Sequence, residues 1–476
     1  MQTSISVSPQ RLGLDARALI ERGRHREAAS LLEQLVQIDP NDSAAWRELG
    51  ECYYALQDKP AAWRAFSRAR ELSPSDSQAL NDIGVMLFND KRYEDALNLF
   101  GGAITSDPNS RDARLNLCAV LGRVTLMDQR HCLRSSLLME QLRWVSASVP
   151  DEQRSSLLSE NLELRERLLN EFRDQYSKSE IRIMLYSPIV GMGALHYIFE
   201  SWQQCLEFMG IPTLLVPVGG NIISAADSFK PTAILSLDCE AVWAGLDRDQ
   251  LRAIAKSGAT LGLASEFGKN TCDADFYITF HLHPEQDDKI ARWNKKVLSL
   301  PFAFNPLVHH AFPARTLWDY AFVGTNSPFK AQETNDYLVP IVCAHEGILA
   351  GTGWSGRFGN LTQEESGLLY NFAAICPNYH IRAQIETNNE VNERTHVIAA
   401  CCGFQLADAP AALREMYSEN EIVSAISPAE YQKLFKYYLN QPALRHDMAV
   451  RSMRVAWKSH SQFHRLGKLI EFLRAM

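Results

Sequence analysis

The chain has 476 residues, 46% hydrophobic and 22% charged, an ordinary globular composition with room for two to four domains, which excludes wholesale disorder. Its formal charge of −8, from 48 Lys+Arg against 56 Asp+Glu, argues against a nucleic-acid protein, because phosphate binding needs a basic surface that this balance does not supply globally. No apolar run approaches the roughly 18 residues that cross a bilayer, and the opening MQTSISVSPQ lacks a basic segment followed by an apolar one, so a cytoplasmic chain without a membrane span is expected. Ten cysteines form no CxxC pair and read as reduced, buried thiols. The vicinal Cys401 and Cys402 are taken as helix packing rather than reactive chemistry.

The first third repeats. "DPND" at 39–42, "SPSD" at 73–76 and "DPNS" at 107–110 place Pro40, Pro74 and Pro108 at a period of 34 residues. Between the first two prolines, Trp46, Leu49, Gly50, Tyr53, Ala62, Phe66 and Ala69 match the spacing of the tetratricopeptide (TPR) repeat. The next unit keeps Gly84, Ala96, Phe100 and Ala103. A weaker unit precedes (Ala28, Leu32, Leu35) and a partial one follows (Leu117, Leu121). Each position has a reason: Gly and Ala let paired helices approach, large residues fill the gap, and proline turns the chain into the next unit. Residues 1–124 are therefore predicted to be an α-solenoid whose concave groove holds a protein or peptide. Asn81, Asp82, Arg114 and Asn116 fall on the first helices, which line such a groove.

Residues 125–178 carry apolar residues at three-to-four spacing among many charges and read as a helical cap and connector, with a coiled-coil partner surface as the alternative. At Ile181 the period changes. "IRIMLYSP", "IPTLLVPV", "PTAILSLD", "ATLGLAS", "DFYITFH" and "VLSLPF" are short apolar runs separated by helical stretches such as "DRDQLRAIAKSG", the pattern of a parallel sheet over 179–306. Over 307–476 a second sheet is expected from strands at 319–325, 380–386, 403–408 and 421–426, interleaved with helices around 331–348, 363–374, 393–402 and 428–439. Two α/β domains in tandem make a cleft lined by strand ends and helix N-termini.

"NNEVNERTHVIAACCGFQLAD" at 388–408 is the most informative stretch. If Asn392 caps a helix that Gly403 ends, the polar residues before it form a loop at the cleft. Orphan amides and the helix dipole there favour an anion such as a diphosphate. Arg394, in the first turn, adds a forked donor pair; a surface ion pair with Glu393 is the plain alternative.

The segment from Val391 to Leu469 resembles the donor-domain ending of two-domain GT-B glycosyltransferases, in the family-1-like group that includes spore-maturation-type proteins. The marks are an Arg-led helix closing in a Cys/Gly turn, an "FQL" strand, a "YYL" helix before "QP", and the "H" and "R" of "HSQFHR". "DYAFVGT" resembles the strand that opens the donor domain, and "LPFAFNP" the domain linker. The resemblance implies an α + α/β chain, a TPR α-solenoid followed by a GT-B fold of two Rossmann-like domains, the acceptor domain at 179–306 and the donor domain at 307–476. It also implies transfer from a nucleotide-activated sugar with no metal and no cofactor, positive charge and helix amides stabilising the leaving phosphate. Carried over by position, Gly324, Thr325 and Lys330 sit beside the donor phosphates, Arg394 approaches them, and Asn392 and Glu393 line the sugar or nucleotide pocket. One departure matters: relatives place a glutamate for the ribose hydroxyls where this chain has Val397, and an aromatic where it has His396. Either Glu390 or Glu393 substitutes, the nucleotide is held differently, or donor binding is lost.

For the acceptor side, Asp238, Glu266 and His281 (with His283 in the same "FHLH") are strand-end candidates for the general base of an inverting enzyme; capping or packing is the competing reading for each. The HLH spacing lacks further ligands for a metal site. Gly191 and Gly193 mark the first strand-to-helix loop without completing a dinucleotide fingerprint. Peptide-gripping repeats before a sugar-transfer cleft point to glycosylation of Ser or Thr hydroxyls on a protein, flagellin or another surface protein among them; bacterial flagellin-modifying enzymes resemble this layout. The rivals are transfer to a polysaccharide or small molecule, and an inactive GT-B scaffold.

Overall fold

A computed structural model describes residues 8–123, 130–150, 155–187, 194–217, 219–237, 256–265, 274–291, 295–354, 361–388 and 390–476. The chain divides into two units, 1–148 and 149–476.

The first unit is helical. Helices α1 (Pro9–Glu21), α2 (His25–Ile38), α3 (Ser43–Ala55), α4 (Lys59–Leu72), α5 (Ser77–Asn89), α6 (Tyr93–Ser106), α7 (Arg111–Arg123) and α8 (Arg130–Ala147) follow one another, the 34-residue period reappearing as alternating helices of 13 and 14 residues. Asp42, Asp58 and Asp76 cap α3, α4 and α5, their carboxylates accepting from Ala45 N, Ala61 N and Gln78 N, which satisfies otherwise orphaned amides. The predicted close approaches are real. A Cβ on Gly50 would lie 2.6 Å from the Phe66 ring and one on Gly84 2.5 Å from Phe100, and both rings are buried. Asn116 Nδ2 donates to Asn81 Oδ1 at 2.8 Å, linking successive first helices. Arg114 differs from expectation. Its guanidinium donates to the Pro108 carbonyl and to Gln141 and lies 4.3 Å over the Trp144 ring, so it fastens α7 to α8 and is not available to a groove ligand.

The second unit opens with α9 (Ser156–Phe172). The stretch read as one connector is thus shared between units, and α9 serves the second: Asn161, fully buried, donates to Ala400 O and accepts from Ala311 N, while Arg165 donates to Leu307 O. The first sheet holds β1 (Ile183–Ser187), β2 (Thr213–Pro217), β3 (Ala233–Leu237), β4 (Thr260–Ser265), β5 (Phe276–Thr279) and β6 (Lys296–Ser299), all parallel in the order β2-β1-β3-β4-β5-β6. Helices α10 (Ala194–Phe208) and α11 (Ile222–Phe229) follow β1 and β2. Strands β1 to β5 lie within their predicted runs, and β6 begins one residue before its run "VLSLPF".

The second sheet holds β7 (Trp318–Val323), β8 (Gly347–Ala350), β9 (Ala373–Pro377), β10 (Gln405–Asp408) and β11 (Val423–Ala425), parallel in the order β11-β10-β9-β7-β8. Helices α12 (Gln363–Asn371), α13 (Glu393–Ala400), α14 (Ala411–Met416), α15 (Pro428–Leu439), α16 (Pro442–Ser459) and α17 (Gln462–Arg474) complete it. Two expectations fail here. The strand placed at 380–386 is β9, at Ala373–Pro377, and Gln384–Asn388 is a π-helical turn. The helix placed at 331–348 stops at Ala344 and gives way to β8. In both, an apolar run was assigned to the wrong period; burial on both strand faces leaves no alternation to read.

The core of this half gathers Tyr320, Ile375, Leu406, Tyr431 and Phe435, each large side chain contributing about 1.5–3 kcal/mol on burial. The Tyr431 hydroxyl donates to Leu406 O at 2.7 Å. Helix α17 then returns to the first sheet: Phe472 meets Phe276 with centroids 4.9 Å apart, Phe463 stacks on Phe208 at 5.1 Å, and Arg465 donates to Pro301 O. The two sheets are therefore tied at both ends of the second half.

Candidate active site

In the second sheet the chain runs from β7 outward to β8 and then crosses back to β9 on the other side of β7. The crevice between the β7 and β9 carboxyl ends is a topological switch point, where open α/β sheets bind ligands. Arg394 fills it. Its Nε donates to Val323 O at 2.9 Å, Nη1 donates to Asn378 Oδ1 at 3.2 Å, and the guanidinium carbon stands 4.4 Å from the Phe322 ring centroid. A Cβ on Gly324 would lie 2.5 Å from Nη2. The glycine is what admits the guanidinium.

Asn392 caps α13 as expected, accepting from Thr395 N at 3.1 Å. Its Nδ2 donates to Asn378 Oδ1 and Tyr379 O. With its amide engaged on both sides, Asn392 holds the loop that presents Arg394. Asn378, fully buried, is the hub: it also donates to Thr395 Oγ1 and accepts into its backbone carbonyl from Tyr431. Beside it His380, equally buried, bonds Asp408 through Nδ1 at 2.5 Å and through its backbone N at 2.7 Å. None of these three was singled out from sequence, because the strand preceding Asn378 was misplaced.

The loops after β7 and β8 lock together. Gly324 N donates to Ala350 O at 2.9 Å, Asn326 N to Thr352 O at 2.8 Å, and Trp354 Nε1 to Gly324 O at 2.7 Å. Gly351 has φ +119° and faces Gly324 O so closely that a Cβ would be 2.3 Å away, a backbone conformation and clearance that only glycine supplies. The "GTGW" after a β-rich run was the available signal. Thr325 sits half-buried in the same β7 loop. Lys330, in the short 3₁₀ turn that follows, has its ammonium pushed down to about 8, first by burial and then by the charge of Arg394, against a smaller opposing pull from Glu333. Two cations that feel each other beside glycine-rich loops leave room for negative charge.

Glu393, the first residue of α13, is half-buried, and the protein around it raises its carboxyl to about 7 against the opposing charge of Arg394. Val397 is buried at 6% exposure and packs as core. His396 occupies an aromatic niche with Tyr417 and His460, its Nδ1 2.9 Å from the Tyr417 hydroxyl, and burial holds it neutral. Glu390 is committed elsewhere: its Oε1 lies 3.3 Å from His281 Nε2, while His281 Nδ1 is 3.4 Å from Asp287 Oδ2. His281 and Glu390 are both almost wholly buried, so this imidazole joins the two sheets and is not presented to a cleft hydroxyl. His283 pairs instead with Glu285 and Glu415, so the two histidines of "HLH" do not converge. Asp238, Glu266, Gly191 and Gly193 lie outside the described residues. Burial raises the Cys401 thiol, and pushes Cys402 up to about 12, in keeping with packing rather than reactive thiols. Cys402 adopts φ +58° in the turn that ends α13.

A helical repeat unit ahead of two parallel α/β layers, with an arginine and glycine loops at a switch point, is the layout of a TPR-containing GT-B protein. Family comparison agrees in two places. Residues 334–471 match the model described as glycosyl transferase-like, and residues 19–81 and 56–111 match tetratricopeptide repeat models. The chain thus carries a glycosyl transferase-like domain behind TPR repeats. Among individual proteins, it is similar over 94 residues to Hsp70-Hsp90 organizing protein 1 of Glycine max, 24% identical, covering 20% of this chain and 16% of that one. It is similar over 112 residues to Superkiller complex protein 3 of Mus musculus, 27% identical, covering 23% and 7%. The chain therefore spans only a small part of the length of these curated relatives. A mutant O-GlcNAc transferase of Thermobaculum terrenum aligns over 100% of this chain and 98% of its own at 14% identity, with a TM-score of 0.37. Among the described residues, no helix is long and apolar enough to cross a membrane.

Proposed function

We propose that the chain is a glycosyltransferase that moves a sugar from a nucleotide diphosphate donor onto a Ser or Thr hydroxyl of a protein held by the repeats. The supporting observation is the Arg394 guanidinium, fixed at the β7–β9 crevice by Val323 and Asn378 with Lys330 in range of its charge. Developing charge on the departing diphosphate is stabilised there by fixed cations and the α13 amides, the part a metal plays in other transferases. Gly324, Thr325 and the 351–353 loop offer backbone at close approach, and Asn392 keeps the loop in place.

The repeats supply acceptor binding. Intact-mass analysis of candidate acceptors coexpressed with the full chain, alongside a panel of sugar nucleotides, tests the whole reading. The expected result is added hexose-type mass on the acceptor. A chain lacking residues 1–148 is expected to lose acceptor modification and keep donor hydrolysis; modification undiminished by the deletion refutes recruitment by the repeats.

A scaffold without donor chemistry is the second reading, favoured by the buried Val397, which accepts no ribose hydroxyl. Thermal shift separates the two, since a ligand at a hundredfold over its Kd stabilises by about 2.7 kcal/mol. A folded chain that no sugar nucleotide stabilises is a scaffold.

A further inference from the structure

The turn after β5 reaches across to the second sheet, and it is held rigidly from its own side. Gln286 N donates to His283 O at 3.0 Å and Asp287 N to Pro284 O at 3.2 Å, while Ser299 Oγ at the end of β6 donates to His281 O at 2.7 Å. From this turn His281 meets Glu390, in the loop that leads to Asn392 and Arg394, and His283 meets Glu415 on α14. The far side is fixed as well: Arg414, next to Glu415, donates to Tyr417 O at 3.1 Å and to Ile422 O at 2.9 Å. Ties elsewhere between the two α/β halves join neutral groups. Phe304 N donates to His460 O, Gln462 N to Phe304 O, the Tyr197 hydroxyl to Leu361 O and Ser201 Oγ to Gln363 Oε1.

Of the two imidazoles in the turn, His281 is buried, whereas the His283 side chain is 35% exposed. His283 stands between two carboxylates: Nε2 is 2.6 Å from Glu415 Oε2 and Nδ1 is 3.2 Å from Glu285 Oε1. A neutral imidazole has a single N–H and must turn a lone pair toward one of these oxygens, but the imidazolium donates to both. The geometry fits the charged ring.

We propose that His283 is a pH-sensitive clasp between the two α/β halves, closed while its imidazolium grips Glu415 and open once the ring is neutral. The inference does not depend on glycosyl transfer and applies equally to a scaffold.

The direction follows from linkage. The charged groups that face the ring are Glu415 on α14 and Glu285 in its own turn. The hydrogen bond to Glu415, then the charge of that carboxylate and the pairing with Glu285, hold the ring above the ordinary histidine range against a loss from burial. When the halves part, Glu415 is withdrawn and the ring falls back toward about 6.5. Closing therefore takes up a proton. The clasp's contribution is complete below pH about 6.5 and is lost as the pH rises through the raised value. One partly exposed pair is a small term beside the whole folding free energy, so opening leaves each sheet intact.

Hydrogen exchange of the full chain, read by mass spectrometry as protection factors from pH about 6 to about 8.5, covers the histidine titration and tests the clasp. In the wild type, protection of the 281–287 turn and of α14 is expected to fall about 1.5- to 5-fold over that range, as far as an exposed ion pair carries it, while β1 to β3 keep theirs. Glu415→Gln and His283→Gln should each show the loosened state at every pH, and the double variant should be no looser than either single one. His283→Arg, which keeps the charge, should hold the turn protected at both ends of the range. A wild-type chain whose protection ignores pH, a His283→Gln chain that keeps the wild-type response, or a His283→Arg chain that still loosens overturns the clasp.

Discussion

Arg394 and Val323 lie 71 residues apart in the chain, yet the arginine Nε donates to the Val323 carbonyl at 2.9 Å. The bond ties the first turn of α13 to the carboxyl end of β7, with the guanidinium carbon 4.4 Å over the Phe322 ring. A lysine reproduces the charge but neither the fork nor the stacking.

Arg394→Ala is accordingly expected to lower kcat by about 10²- to 10³-fold, the usual cost of removing one stabilising donor from a leaving-group site. Arg394→Lys should recover only a part. Gly324→Ala should mimic the loss without touching charge, since its Cβ falls 2.5 Å from Nη2. Steady-state kinetics on the three variants checks this, and wild-type turnover in Arg394→Ala removes the residue from the site.

Lys330 predicts a pH dependence of binding. Its ammonium is held down to about 8 in the free protein, so a diphosphate that pairs with it must draw a proton back above that pH. Affinity for a nucleoside diphosphate should be flat below pH about 8 and fall above it by up to about tenfold per unit. Calorimetric titration from neutral to alkaline pH reads the slope, and Lys330→Arg should abolish it. The sign for folding is opposite. The unfolded chain keeps this proton to about 10.5, so the free protein gains stability as pH rises between the two values.

His281 is expected to behave as a fastener. Removing the imidazole takes from the buried Glu390 carboxylate an ionic neighbour 3.3 Å away, and breaking a buried pair costs about 3–5 kcal/mol. His281→Ala should lower the melting temperature strongly, while molecules that remain folded keep most of their kcat. A large loss of kcat at unchanged stability would return His281 to catalysis.

In the repeats, Gly84→Ala sets two effects against each other. Helix propensity gains about 1 kcal/mol, but the new methyl meets the Phe100 ring at 2.5 Å, and overpacking costs about 1–3 kcal/mol. A net loss in urea melts is expected, relieved when Phe100 is replaced by Leu in the same chain. Gly50 and Phe66 repeat the geometry.

The parts of this protein that were legible in its sequence are those whose signal is local. The solenoid is written in a 34-residue period because each repeat packs only on its neighbours, so Gly50 and Phe66 must recur at fixed spacing. The cap Asn392, the helix Pro428–Leu439 and the strands from β1 to β6 follow the same logic of spacing, cap and breaker. What only the tertiary structure decided is which distant groups meet. Strand order places Val323 and Asn378 on either side of one crevice, Asp408 takes up His380, and Glu390 closes on His281 across two sheets. Those pairings depend on chain crossovers spanning tens of residues, and no periodicity within a window records where a crossover lands. Buried strands hide their own period as well, which is why β8 and β9 were misplaced and the residues at their ends came to light only in three dimensions.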